Sequence, residues 1–208
     1  MQRNLVMALV AVAICTLVAA NAQATNIVEE WASMKPLPAP TLKPVTVDPK
    51  TTALLMLDFM HQNCGKRPRC VASLPAVKKL LDAARAAKAT VIYSIIAKTT
   101  TADIFQEVAP QAGEAHVQSG PDKFINTDLE KLLKDKGIKT VIAVGTSADG
   151  AVLYTASGAA LRGMNVIVPV DGMSSLNANS DYATVFLFMD APLVSNKTTL
   201  TKIDMVKF

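Results

Sequence analysis

At 208 residues, half of them apolar, the chain is long enough for one domain with a sizeable buried core plus extra segments. Its formal charge is only +4 and aromatic residues make up 5%, so it lacks the basic face and stacking rings that nucleic-acid recognition needs. Abundant alanine and valine suit close packing around a sheet.

The first 24 residues are read as a secretory signal peptide. Arg3 supplies a short basic start, an apolar run extends from Leu5 to Ala20, and Ala22-Gln23-Ala24 is a small-x-small cleavage site. An uncleaved anchor is the alternative, but the run is short for a membrane span of ~20 residues. Cleavage after Ala24 would remove Arg3, lower the charge from +4 to +3, and leave a periplasmic or secreted protein with no membrane association.

Residues 25–49 read as an N-terminal arm. "IVEEWASM" suits a short helix, with Trp31 expected to anchor the arm in an apolar groove. "KPLPAPTLKPVTVDPK" is Pro-rich, so an extended strap is expected there.

Residues 50–208 alternate strand and helix patterns. "TALLML" (52–57) is a short apolar run ended by Asp58, as for a buried parallel strand. A loop to about Val71 contains Cys64 and Cys70, expected as a disulfide in an oxidising compartment. A free nucleophilic thiol at Cys64 is the alternative. Zinc needs about four ligands and only His61 lies nearby, so no metal is expected. A helix is predicted over 73–89, capped by Ser73, with Pro75 in its first turn and a Leu74, Val77, Leu80, Leu81, Ala84 stripe. "TVIYSII" (90–96) is the next strand. Residues 97–122 are weakly patterned, a long loop of the kind that is often functional. A helix follows over 127–137, with Thr127 and Glu130 as a capping box, then a strand over 139–145. A helix over 149–163 takes Asp149 as its cap, and a strand covers 165–170. A helix over 179–189 and an edge strand within 198–208 complete the chain. The implied fold class is α/β: a three-layer, Rossmann-like arrangement around a largely parallel central sheet.

Ligands of such sheets bind at the strands' carboxyl ends. Two features fall there: Asp58, and the turn Gly145–Ala151, where a strand meets a helix N-terminus suited to anions. No G-x-S-x-G occurs, and no histidine follows position 116 to complete a Ser-acid-His order begun by Ser147. No dinucleotide fingerprint follows a strand and no P-loop occurs, so no cofactor is expected.

Asp58 after "ALLML", Lys123 in "GPDKF", the "F-x-x-T-D-L" of 124–129 and "VIAVGTSADGAVLYTASGAALRGMNVIVPVDGMSS" together resemble the isochorismatase-like (cysteine hydrolase) superfamily, clearly over about residues 50–175. The resemblance implies the three-layer α/β fold and an Asp-Lys-Cys triad in amidase members. Asp58 matches the proton-transferring aspartate and Lys123 its cationic partner, although Lys123 sits closer to Phe124 than the usual family lysine. The nucleophile falls five residues before Ala156, at Ala151, so this chain lacks the thiol. Metal-binding members carry histidine after the second strand; "IIAKTT" has none.

True isochorismatases dispense with the cysteine. In them the aspartate protonates an enol-ether carbon and water adds to the resulting oxocarbenium-like ion. The expectation is therefore a hydrolase acting on a small anionic substrate through Asp58, with Ser147, Asp149 and Gly150 binding substrate at the helix end. The alternative is a non-catalytic descendant that binds a small ligand or a protein partner. Members of the superfamily also form dimers or tetramers, so a homo-oligomer is in keeping with the resemblance.

Overall fold

The structure is a computed structural model that describes residues 26–208. The expected signal peptide lies outside the described residues. The chain divides after Pro38 into two units. In the first, α1 (Ile27–Glu30) is capped by Asn26, whose Oδ1 accepts from the amides of Val28 and Glu29. Trp31 packs against nothing that buries it within this unit and is 72% exposed.

The second unit is built on parallel strands. In chain order its elements are β1 (Val45–Thr46), β2 (Thr52–Leu57), α2 (Pro68–Ala86), β3 (Thr90–Ile95), β4 (Ala115–Gln118), α3 (Leu129–Asp135) and β5 (Thr140–Thr146). There follow α4 (Leu153–Leu161), β6 (Asn165–Pro169), β7 (Met173–Ser174), α5 (Ala178–Asp190), β8 (Thr198–Thr201) and β9 (Val206–Lys207). The main sheet runs β4-β3-β2-β5-β6-β8, with β7 pairing the end of β5. Every named strand pair in it is parallel, as are β1 and β9, which pair separately.

Burial explains why β2 is apolar from Ala53 to Leu57. Alternate residues of a strand face opposite sides of the sheet. Ala53, Leu55 and Leu57 enter one core with Leu129 and Leu133 of α3, Ala156 and Ala159 of α4, and Phe188 of α5. Leu54 and Met56 enter the other with Leu74, Val77, Leu80 and Leu81 of α2. Helices therefore cover both faces, and a central strand has no wet side to mark with polar residues.

Several boundaries differ from the sequence reading. Helix α2 starts at Pro68, not near Ser73, because proline at the first helical position needs no amide partner. Ser73 lies inside the helix and donates to the carbonyl of Cys70. The 97–122 segment contains the edge strand β4, whose alternating exposed and buried residues leave no apolar run to read. The capping box at Thr127 does not form. Thr127 Oγ1 accepts from Leu129 N and donates to Lys123 O, while Glu130 pairs with Lys134 and Arg162. Before α4 the chain makes a π-helical turn, Ala148–Val152. Among the described residues no helix is long and apolar enough to cross a membrane.

Two backbone features shape the strands' carboxyl ends. Gly145 has φ +145°, and a Cβ there would lie 2.1 Å from the carbonyl oxygen of its β2 neighbour Leu57. Only glycine permits that approach of β5 to β2. Asp58, one residue beyond β2, adopts a left-handed φ of +60°, which aspartate tolerates better than most residues.

Candidate active site

Asp58 sits where the carboxyl ends of β2, β3 and β5 meet. Its amide donates to the carbonyl of Ser94 in β3 at 3.4 Å. Ser94 Oγ in turn donates to Asp58 Oδ1 at 2.6 Å, and Lys123 Nζ donates to Asp58 Oδ2 at 2.8 Å. Lys123 is fully buried and Asp58 is 3% exposed. The ammonium has one further acceptor, the carbonyl of Ser119 at 3.3 Å.

Thr155 of α4 holds the lysine loop in place. Its Oγ1 accepts from the Lys123 amide at 3.2 Å and donates to the Pro121 carbonyl at 3.3 Å. Asp122 Oδ1 accepts from the Phe124 amide, and Arg162 lies over the Phe124 ring at 4.2 Å. These contacts let a lysine immediately before Phe124 reach the aspartate.

Burial pushes the Asp58 carboxyl above its usual range. The ion pair with Lys123, the hydrogen bonds from Lys123 and Ser94, and the charge of Arg67 act in the opposite direction without cancelling it. A carboxyl desolvated in this way and facing a cavity has the character of a general acid.

That cavity has a volume of about 350 Å³. Asp58, Arg67, Ser119, Ser147, Gly150 and Ala151 are among the residues lining it. Ala151 is buried and presents only a methyl group at the position assigned to the nucleophile by resemblance. A larger groove, of about 530 Å³, lies at the opposite ends of the strands, beside Thr52, Thr140 and Asn165. The chemistry of parallel α/β sheets belongs to the carboxyl ends, where the smaller cavity is.

The turn after β5 is more internally bonded than a free helix end. The Thr146–Ser147 peptide is cis. The amides of Gly150 and Val152 both donate to the Ser147 carbonyl, and the Asp149 amide donates to Ser175 Oγ. Asp149 is not a helix cap: it is exposed, outside the cavity lining, and its Oδ1 accepts from Ser175 Oγ at 2.8 Å. Burial pushes its carboxyl up, but hydrogen bonds to Ser147, Ser175 and Ser180 outweigh this and hold it below its usual value. Ser147 and Gly150 do line the cavity.

Cys64 and Cys70 form a disulfide, which leaves Cys64 no thiol for nucleophilic chemistry. Their hairpin carries Arg67 to the cavity. Arg67 Nη1 donates to the Asn63 carbonyl at 2.8 Å and to Asn63 Oδ1. Asn63 Nδ2 donates to the Thr146 carbonyl at 3.3 Å, which ties the hairpin to the turn. His61 packs on Phe105 instead. Among the described residues no group of three His, Cys, Asp or Glu is placed to hold a metal ion.

Sequence reasoning missed Ser94, Thr155 and Arg67. Ser94 had one signal, a small polar residue near the carboxyl end of a largely apolar strand. Arg67 had another, its place between two cysteines. Thr155 had none, since its role depends on a loop some thirty residues earlier in the chain.

Comparison with known proteins identifies the family and the fold. The Isochorismatase domain profile matches residues 52–198. A secreted isochorismatase effector of Verticillium dahliae is 31% identical over 144 residues, covering 62% of this chain and 76% of that protein. Solved structures share the fold. A cysteine hydrolase from Pseudomonas syringae superposes with a TM-score of 0.69 at 19% identity, over 80% of this chain and 95% of the other. An isochorismatase from Pseudomonas putida gives 0.67 at 17% identity, over 81% and 100%. A nicotinamidase from Staphylococcus aureus gives 0.64 at 19%, over 73% and 96%.

Proposed function

The chain belongs to the isochorismatase family, and on that premise we propose that it is an exported hydrolase that cleaves a vinyl ether in a small anionic substrate. Asp58 is the general acid and no cysteine nucleophile takes part. The observation that carries this reading is the Asp58 carboxyl itself: buried, raised in pKa, held between Ser94 and Lys123, and lining a cavity whose wall at position 151 is a methyl group.

The reaction needs little else. The Asp58 proton forms a new C–H bond at the terminal enol carbon, and the ether carbon becomes oxocarbenium-like. Water adds to that carbon and its proton returns to the Asp58 carboxylate. The resulting hemiketal breaks its C–O bond to give a ketone and an alcohol. Lys123 holds the carboxylate in place when it carries charge, and the apolar wall leaves room for substrate where amidase members of the superfamily use a thiol.

Export is supported by the Verticillium relative, which is a secreted protein, and by the Cys64–Cys70 disulfide, a bond that persists in oxidising compartments.

The test is direct. The mature chain is incubated with isochorismate and pyruvate is measured by a coupled dehydrogenase assay. Turnover is expected in the wild type, with a loss of at least about 10²-fold in Asp58→Asn, the range for removing a general acid. Circular dichroism establishes that the variant is folded. Turnover unchanged by Asp58→Asn sinks the mechanism. Saturable binding without pyruvate favours the non-catalytic alternative.

A further inference from the structure

A small anionic substrate needs a cationic anchor, and the helix-end amides are poorly placed to supply it. Three amides of the Ser147–Val152 turn already donate within the protein. Lys123 is fully buried and engaged with Asp58 and Ser119. Among the described residues, the remaining cation lining the cavity is Arg67.

Its guanidinium is half-committed. Nη1 bonds Asn63, but Nε is buried and has no hydrogen-bond partner among the described residues. Nε belongs, with Nη2, to the edge of the fork that meets a carboxylate side-on. Its neighbours differ: Arg69 pairs with Asp181, whereas no ion pair forms at Arg67 among the described residues. A buried, unpartnered donor on a fixed charge is costly unless a ligand takes it.

Arg67 is also held firmly. It is the extended residue between the turn Cys64–Lys66 and α2. The flanking cysteines are both fully buried and joined to each other, which anchors the loop that carries Arg67.

We infer that Arg67 recognises the carboxylate of the substrate, as a specificity-determining residue presented into the cavity by a disulfide-closed hairpin. The inference rests on the proposed reading of this cavity as a substrate site, and it adds a consequence. Arg67 acts on Asp58 to favour its ionised form. A carboxylate bound to Arg67 offsets that charge, so substrate binding itself favours the protonated acid.

The experiment uses benzoate as the carboxylate probe and benzamide as its neutral counterpart, titrated by calorimetry into the folded, disulfide-bonded mature chain. Arg67→Gln is expected to weaken benzoate binding by about 10- to 100-fold, the range of a hydrogen bond to a charged group. Benzamide binding stays unchanged, and Arg67→Lys recovers part of the loss. A second variant, Asn63→Asp, leaves arginine in place but gives it an internal carboxylate, and is expected to weaken benzoate in the same direction. Any of three results overturns the inference: no benzoate binding to the wild type, equal loss for benzoate and benzamide, or inorganic phosphate binding more tightly than benzoate. None of these readouts needs turnover. Failure to hydrolyse isochorismate with benzoate discrimination intact removes the proposed reaction and leaves the carboxylate site standing.

Discussion

Replacing Lys123 by methionine isolates what the lysine does for Asp58. The methionine side chain is close in length, so the fully buried site is refilled and the main loss is the ammonium 2.8 Å from Asp58 Oδ2. Breaking a buried pair in this way costs about 3–5 kcal/mol when the remaining charge cannot escape. A carboxylate can escape by taking a proton. From an ordinary value of 3.8, holding Asp58 neutral costs about 1.4 kcal/mol per pH unit, hence about 1.6 kcal/mol near pH 5 and about 4.4 kcal/mol near pH 7.

The sign follows from the direction of the shift. A folded-state pKa above the unfolded one means that the folded chain keeps a proton the unfolded chain has lost. Stability then falls as pH rises from 3.8 toward the folded value. The wild type carries part of this penalty already, because its own Asp58 is raised, so the difference between the chains is smaller than these ceilings. Urea unfolding of both chains from about pH 5 to about pH 8 is the assay. Lys123→Met is expected to be destabilised, with a deficit that widens as pH rises. A deficit below about 0.5 kcal/mol, or one flat across the range, refutes the account of Lys123 as the charge that stabilises ionised Asp58.

Three further outcomes are expected. If Asp58 acts as an acid, kcat for isochorismate hydrolysis is highest at low pH and falls as pH rises through the raised Asp58 pKa. In Lys123→Met that limb moves to higher pH, and an immobile limb assigns the titration to another group. Gly145→Ala forces a Cβ to within 2.1 Å of the Leu57 carbonyl oxygen and should leave the chain unfolded or destabilised by more than about 3 kcal/mol; a stable variant with an unshifted melting curve shows that the strand ends can part. The double variant Cys64→Ser, Cys70→Ser opens a loop closed across a separation of six residues, for an expected loss of about 2 kcal/mol by chemical denaturation, and a loss near zero shows that the hairpin holds its shape without the bond.

The alternation of strands and helices was legible because a parallel sheet covered on both faces requires apolar runs, and "TALLML", "TVIYSII" and "KTVIAVG" are such runs. The edges were not legible. Strand β4 is short and half wet, and the start of α2 was hidden because a segment rich in Arg, Pro and Cys reads as a loop. The turn after β5 misled differently. Asp149 stands where a cap belongs, but Ser175 lies close enough to draw its carboxylate sideways, and the backbone takes a π turn instead.

Chemistry divides along the same line. The residue types at Asp58, Lys123 and Ala151 were readable from the order of motifs along the chain, and so was the absence of a thiol at position 151. The contacts were not, because they join residues far apart in sequence: Ser94 to Asp58 across two strands, Thr155 to the lysine loop, and Arg67 to the cavity through a disulfide. Linear order specifies which groups exist and which strand each one ends. The burial that raises the Asp58 carboxyl, and the Arg67 Nε left unpartnered beside it, arise from packing between segments that no local pattern relates.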